Sequence, residues 1–379
     1  MKKIYLDHAA TTPLSPIVLE KMMPYFTDCF GNADSPHAIG RQAVNAVDNA
    51  RDCLAERLGV KPNELYFTSG GTEADNWAIV GGAYAQKAKG KPHVIVSAIE
   101  HHAVLYAAEK LEKEGFPVTY LPVNEGGMVA LNTLRDAITP QTGLVAVMAV
   151  NNETGVIQPI QELAKIAHEH GALFFTDGVQ AAPYMPLDVK AWGVDMLSFS
   201  SHKFYGPKGC GVLYIKNGVR IERFIGGGEQ ERGLRGGTTN VPAVVGLAAA
   251  FCENETTIST SNEKIAGLSK LFLDGISCLD GVTINGCAKK LPSILNLRVK
   301  GVNNVDLLYK LDLQGVCIAV GSACASASVK PSHVLLAMGL TEAEARESVR
   351  ISIGKDNTEE EIRFAAKTFV ETVEALREF

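Results

Sequence analysis

The chain has 379 residues, long enough for two domains, and is 46% hydrophobic and 21% charged, proportions of an ordinary globular enzyme. Its formal net charge of −6 argues against a direct nucleic-acid binder, which would carry a basic face. No apolar run approaches the ~18 residues of a membrane span, and the opening MKKIYLDHAATTPL is too short and too polar for a signal peptide, so a cytoplasmic protein without membrane attachment is expected.

Between about residues 64 and 216, short β-rich runs alternate with helical patterns. Strands are expected at 64–68, 93–97, 119–122, 144–150, 173–177, 196–200 and 211–215, with helices at 73–86, 102–114 and 160–170 among them. Strand, helix, strand in repetition means an α/β fold with a mainly parallel sheet covered on both faces. The run GLVAVMAV lacks polar alternation, as a strand buried on both sides should. Residues 253–263 read ENETTISTSNE, polar and free of periodic apolar positions, and are expected to be an interdomain connection. Shorter strands at 293–299, 316–319 and 349–353 follow, with a final amphipathic helix from about Thr358; that pattern suits a smaller α+β domain.

In open parallel sheets, ligands sit beyond the carboxyl ends of the strands, so the residues after each strand matter most. The first strand leads into Ser69-Gly70-Gly71-Thr72 at a helix start, a place that favours an anion such as phosphate. The second ends in Glu100-His101-His102, whose spacing is wrong for a metal site; a histidine there can cover an aromatic ring. Asn152 follows the fourth strand. Asp177, with Gln180 close behind, ends the fifth; directly after so apolar a run, its carboxylate wants a cationic partner. The sixth ends in Ser200-Ser201-His202-Lys203. A lysine partly desolvated at such a place can form a Schiff base, whereas Lys208 falls in a Gly-Pro-Lys-Gly turn. A pyridoxal 5'-phosphate (PLP) site needs a Schiff-base lysine, a carboxylate for the pyridine nitrogen, phosphate donors and, with advantage, a flat group over the ring. Lys203, Asp177, the 69–72 turn with Ser200 and His202, and His101 supply these.

The eight cysteines form no C-x-x-C pair, so neither a disulfide framework nor a metal site is expected. Cys324 stands apart, in Gly321-Ser-Ala-Cys-Ala-Ser-Ala-Ser328, where small residues offer few packing anchors and suit a movable nucleophile.

With YLDHAATTPL, TSGGTEADN, EHHAV, VNNETG, TDGVQ, SFSSHKFYGPKG, GGGEQERGLRGGT, GSACASAS and VRISIG in the same order, the chain resembles, nearly end to end, the cysteine desulfurases of the NifS/IscS type. These are class V aminotransferase-like PLP enzymes of fold type I. The resemblance implies a large domain at 15–256 with a mainly parallel seven-stranded sheet, and a small α+β domain from 1–14 and 257–379 carrying the active-site cysteine. It implies a reaction in which L-cysteine becomes L-alanine and its sulfur passes to Cys324 as a persulfide. Lys203 would bear the cofactor and shuttle a proton, with Asp177 on the pyridine nitrogen, Gln180 on the ring oxygen and His101 over the ring. Gly71, Thr72, Ser200 and His202 would hold the phosphate, and Asn152 and Arg350 the substrate carboxylate. Thr238 would reach the phosphate of the other subunit of a homodimer. The sulfur acceptor would be an Fe–S scaffold, whose cluster Cys324 would transiently contact, or a tRNA-thiolation enzyme.

His8, Asp34 and Ser201 depart from the family pattern, and His8 and Asp34 are placed where substrate fit could change. The chain ends at Phe379, soon after its last helix, whereas relatives that dock a scaffold often carry a longer tail. A selenocysteine lyase or an aminotransferase on the same fold is an alternative, though transamination needs no movable cysteine. A catalytically silent scaffold would have no need to keep Lys203, Asp177, His101 and Cys324 together.

Overall fold

The computed structural model describes residues 3–321 and 330–378; Cys324 lies outside them. Among the described residues the strands are β1 (Ile4–Tyr5), β2 (Leu65–Thr68), β3 (His93–Ser97), β4 (Val118–Leu121), β5 (Thr142–Ala146), β6 (Leu173–Asp177), β7 (Met196–Ser200), β8 (Gly211–Ile215), β9 (Val282–Ile284), β10 (Ile294–Val299), β11 (Val316–Cys317) and β12 (Ser348–Ser352).

β2 to β8 form one seven-stranded sheet in the order β2-β8-β7-β6-β5-β3-β4. Its pairings are parallel from β4 through β7, and β8 runs antiparallel to both β7 and β2. Successive residues of the central strands join different cores. Val94, Val96, Leu144, Ala146, Phe175, Met196, Leu213 and Ile215 fall in one. Ile95, Val145, Phe174, Leu197, Phe199, Val212 and Tyr214 fall in the other. That alternation is the two-residue period of a strand buried on both faces, and each large side chain so buried contributes about 1.5–3 kcal/mol.

Helix Gly71–Lys87 and helix His102–Lys113 cover the first face. The latter turns Ala103, Val104, Ala107, Ala108 and Leu111 inward at helical spacing. On the other face lies helix Ala38–Leu58, which ends at Gly59 in the left-handed conformation (φ 65°). It packs against helix Val241–Gly275. Outside the large sheet, β12-β10-β9 form an antiparallel sheet and β1 pairs with β11 in parallel. No helix of the described residues is long and apolar enough to cross a membrane.

Two expectations about elements need correction. Residues 253–263 are not a loop but the middle of the Val241–Gly275 helix. Hydroxyls that would otherwise compete for its backbone bond back to it, Thr257 to the Glu253 carbonyl at 3.1 Å and Thr260 to that of Thr257 at 3.0 Å. Asn254 and Asn262 donate to the carbonyls of Ala182 and Tyr184, so the polar face is tied down as well. The strand expected over 144–150 stops at Ala146, because the Met148 N–H turns aside to the Glu100 carboxyl at 2.6 Å.

Candidate active site

A cavity of about 280 Å³ opens at the carboxyl edge of the large sheet. Its lining includes Gly71, Thr72, His101, Asn152, Asp177, Gln180, Ser200, His202, Lys203 and Arg350, ten of the positions nominated from sequence.

Lys203 ends a short helical turn directly after β7. Its Nζ donates to the carbonyls of Ala9 at 2.5 Å and Ala10 at 2.9 Å. Two residues later Tyr205 adopts φ 64°, a conformation that an aromatic residue keeps only when its surroundings impose it. Here they do: the Tyr205 N–H donates to Thr12 Oγ1 at 2.8 Å, and the Ser15 N–H donates to the Tyr205 carbonyl at 2.9 Å. The N-terminal segment therefore sets where the lysine stands.

Asp177 ends the adjacent strand, and burial pushes its carboxyl up to about 6 against the pull of the Val179 N–H and the Lys203 cation. A carboxyl raised by burial gains from any further cation brought beside it. Gln180 is buried and donates to the Ala9 carbonyl at 2.7 Å. His101 caps helix His102–Lys113 by accepting from the Ala103 N–H at its Nδ1, which places the proton of the neutral ring on Nε2. Burial and Lys203 lower its pKa to about 4, so at neutral pH it presents an uncharged flat ring.

Gly70 (φ 150°) opens helix Gly71–Lys87 in a conformation essentially confined to glycine. A Cβ on Gly71 would stand 2.8 Å from Val179 Cγ2, so the chain here passes too close for any side chain. The helix's first N–H groups, lacking partners within the helix, point to this end. Ser200 is buried beside them, and His202, its pKa lowered to about 4 by burial and Lys203, bonds Thr11 Oγ1 at 3.1 Å.

Arg350 comes from β12 and is only 2% exposed. It donates to the Asn152 carbonyl at 2.9 Å and to Asp7 Oδ1 at 2.8 Å, while its Nε has no hydrogen-bond partner among the described residues.

Thr238 is exposed and does not line the cavity, and Cys324 lies outside the described residues. His8, Asp34 and Ser201 do not line it either. His8 packs so tightly on Gly354 that a Cβ there would fall 2.3 Å from its ring, Asp34 accepts from Gln230 at the surface, and Ser201 donates to the Cys210 carbonyl. Sequence reasoning missed Ala9 and Ala10, whose carbonyls hold Lys203, and Asp7, the partner of Arg350. It also missed Asp75, buried in the lining and donated to by Ser198 Oγ at 2.5 Å. Asp75 lies one helical turn from Gly71, and that spacing was a usable signal.

The aminotransferase class-V family matches residues 4–364. The chain is 46% identical over 381 residues to the cysteine desulfurase IscS of Clostridium botulinum, covering 100% of this chain and 96% of that protein. A solved structure named NifS-like protein superposes with a TM-score of 0.93 at 36% identity, covering 99% of this chain and 100% of that one. A second, SspA in complex with cysteine, gives 0.84 at 37% identity over 94% of this chain and 100% of that one.

Proposed function

Since the chain belongs to the aminotransferase class-V family and is a cysteine desulfurase, we propose that its cavity holds PLP on Lys203 and passes sulfur from L-cysteine to Cys324. The observation that carries this reading is the meeting of Lys203, Asp177 and Arg350 at one buried cavity on the sheet edge. The residues fit the cofactor. The glycine turn and helix start suit a phosphate, the buried carboxyl of Asp177 suits a protonated ring nitrogen, and the neutral His101 ring suits an aromatic face. PLP, when bound, draws electrons from the substrate's Cα and so eases proton loss there.

In this reading Arg350 and Asn152 grip the substrate carboxylate; the Arg350 Nε, without a partner among the described residues, is a donor that such an acceptor would satisfy. Lys203 Nζ moves the proton at Cα. The Cys324 thiolate attacks the substrate sulfur: a sulfur–sulfur bond forms, the carbon–sulfur bond breaks, and its electron pair and a proton end on carbon, giving alanine. Cysteine is the ligand in the SspA structure, which supports the substrate.

The assembly belongs to the same proposal. Ile17, Leu19, Met23, Phe26 and Phe30 are large apolar side chains exposed within one segment, and a second copy of the chain would cover them. Thr238, exposed on this chain, would then serve the partner's phosphate site. Residues 15–256 would act as the large domain, with 1–14 and 257–379 as the small one. The persulfide would leave by exchange to an acceptor protein in the cytoplasm, an Fe–S scaffold or a tRNA-thiolation enzyme.

The test is Cys324→Ser. The purified variant should stay yellow from bound PLP while alanine release from L-cysteine falls at least about 10²-fold. Undiminished turnover would overturn the sulfur-transfer role.

A further inference from the structure

Away from the cavity, two cysteines that no step of the reaction uses lie together. Cys53 is on helix Ala38–Leu58 and Cys252 on helix Val241–Gly275. Their sulfurs stand 2.6 Å apart although 199 positions separate them in the chain. Both are free thiols and neither is fully buried, so a small oxidant can reach them. Helix packing brings them together. Ala43, Ala46 and Ala50 keep the first helix slim on its inner side, and they share one core with Val244, Leu247 and Phe251 of the second. One turn beyond the thiols, Arg57 pairs with Glu255 across the same two helices at 3.0 Å. Arg57 also interacts electrostatically with both sulfurs.

We infer that Cys53 and Cys252 are a two-electron redox site, which a peroxide converts to a disulfide stapling the two helices and a dithiol reopens. One thiolate of the pair attacks the peroxide, taking one oxygen as a sulfenic acid and releasing the other as hydroxide. The second thiol then attacks that sulfur, the sulfur–sulfur bond forms, and water leaves; two thiols and one hydrogen peroxide give one disulfide and two waters. Burial and the hydrogen bond to Cys53 push the Cys252 thiol up to about 12, so the reaction quickens as pH rises. The staple closes a long loop of the unfolded chain, which favours the folded state.

The test treats the holoenzyme and its Cys324→Ser variant with excess hydrogen peroxide, then digests them without reductant for mass spectrometry. Both should yield one peptide pair joined through Cys53 and Cys252, two hydrogens lighter than its parts and separated by dithiothreitol. The oxidised protein should melt several degrees higher than the reduced one. That difference should vanish in Cys53→Ser and Cys252→Ser, whose basal alanine release should match that of the parent. Oxygen addition at either cysteine with no joined peptide would overturn the site. A joined peptide with an unchanged melting temperature would overturn its role as a staple.

Discussion

The cavity has two walls of different construction. One is the carboxyl edge of the large sheet, where Asp177 and Lys203 follow adjacent buried strands and the glycine turn follows another. The other is a seam where Asp7, Asn152 and Arg350 meet within hydrogen-bond distance although Asp7 and Arg350 are 343 positions apart. On the sheet wall a side chain's place follows from its own strand. On the seam it follows from how distant segments dock, since β12 pairs with β10 and a bridge joins Asp7 to Ser352. Damage to the first wall should therefore act on the chemistry or on the fold, and damage to the second on substrate grip.

The largest expected effect is on the sheet wall. Lys203→Ala would remove both the proposed cofactor attachment and the proposed proton carrier, and turnover should fall on the order of 10⁴-fold. The visible absorbance of the bound cofactor should disappear with it, and an unchanged spectrum would refute the attachment site.

Next comes Glu100, after β3 on the same edge. It is fully buried; Ser97 Oγ and the Met148 N–H both donate to one carboxyl oxygen, and the other has no partner among the described residues. Burial pushes its pKa up to about 8 from 4.5. The folded state thus binds its proton more tightly than the unfolded state does. That contribution is complete below pH 4.5 and is lost as pH rises through 8, at most about 5 kcal/mol. Glu100→Gln cannot ionise, so the fall in denaturation midpoint between pH 5 and pH 8 should shrink in the variant. An equally steep fall in the two proteins would show that Glu100 does not carry the dependence.

Legibility followed the same division. β3, β6, β7 and β8 were readable to the residue because each is a short, mainly apolar stretch, and at β6 and β7 the polar residues that end the strand mark the cavity edge as well. The sheet-wall residues Asp177, Gln180, Ser200 and Lys203 were found that way. The helical middle of Val241–Gly275 was not, because its threonines and asparagines spend their side chains on carbonyls that no local pattern announces. Helix Ala38–Leu58 went unassigned for a related reason: its inner face is largely alanine, a weak apolar signal. Asp7 is the hardest case. Nothing beside it in the chain hints at an arginine from β12, and the Ala9 carbonyl serves Lys203 through its backbone, which leaves no mark in residue type.

Asp7 therefore gives the finest test of the seam, with the smallest expected effect. Its carboxylate holds one end of the Arg350 guanidinium, which in the proposed function makes it a positioning residue for the grip on the substrate carboxylate. Two consequences of its removal oppose each other. Losing the hydrogen bond lets the guanidinium swing, which weakens grip, whereas losing the negative charge leaves Arg350 more attractive to an anion. A hydrogen bond to a charged group is worth about 1.5–3 kcal/mol, and loss of orientation at the buried Arg350 should outweigh the change of charge at Asp7, whose side chain is 18% exposed. Asp7→Ala should then raise KM for L-cysteine about tenfold with kcat nearly held, the signature of lost ground-state binding. Asp7→Asn keeps the acceptor while dropping the charge, so it should restore KM to near the parent value. If the two variants bind cysteine equally poorly, the charge rather than the hydrogen bond organises the seam. If kcat falls while KM holds, Arg350 is not where the substrate is gripped.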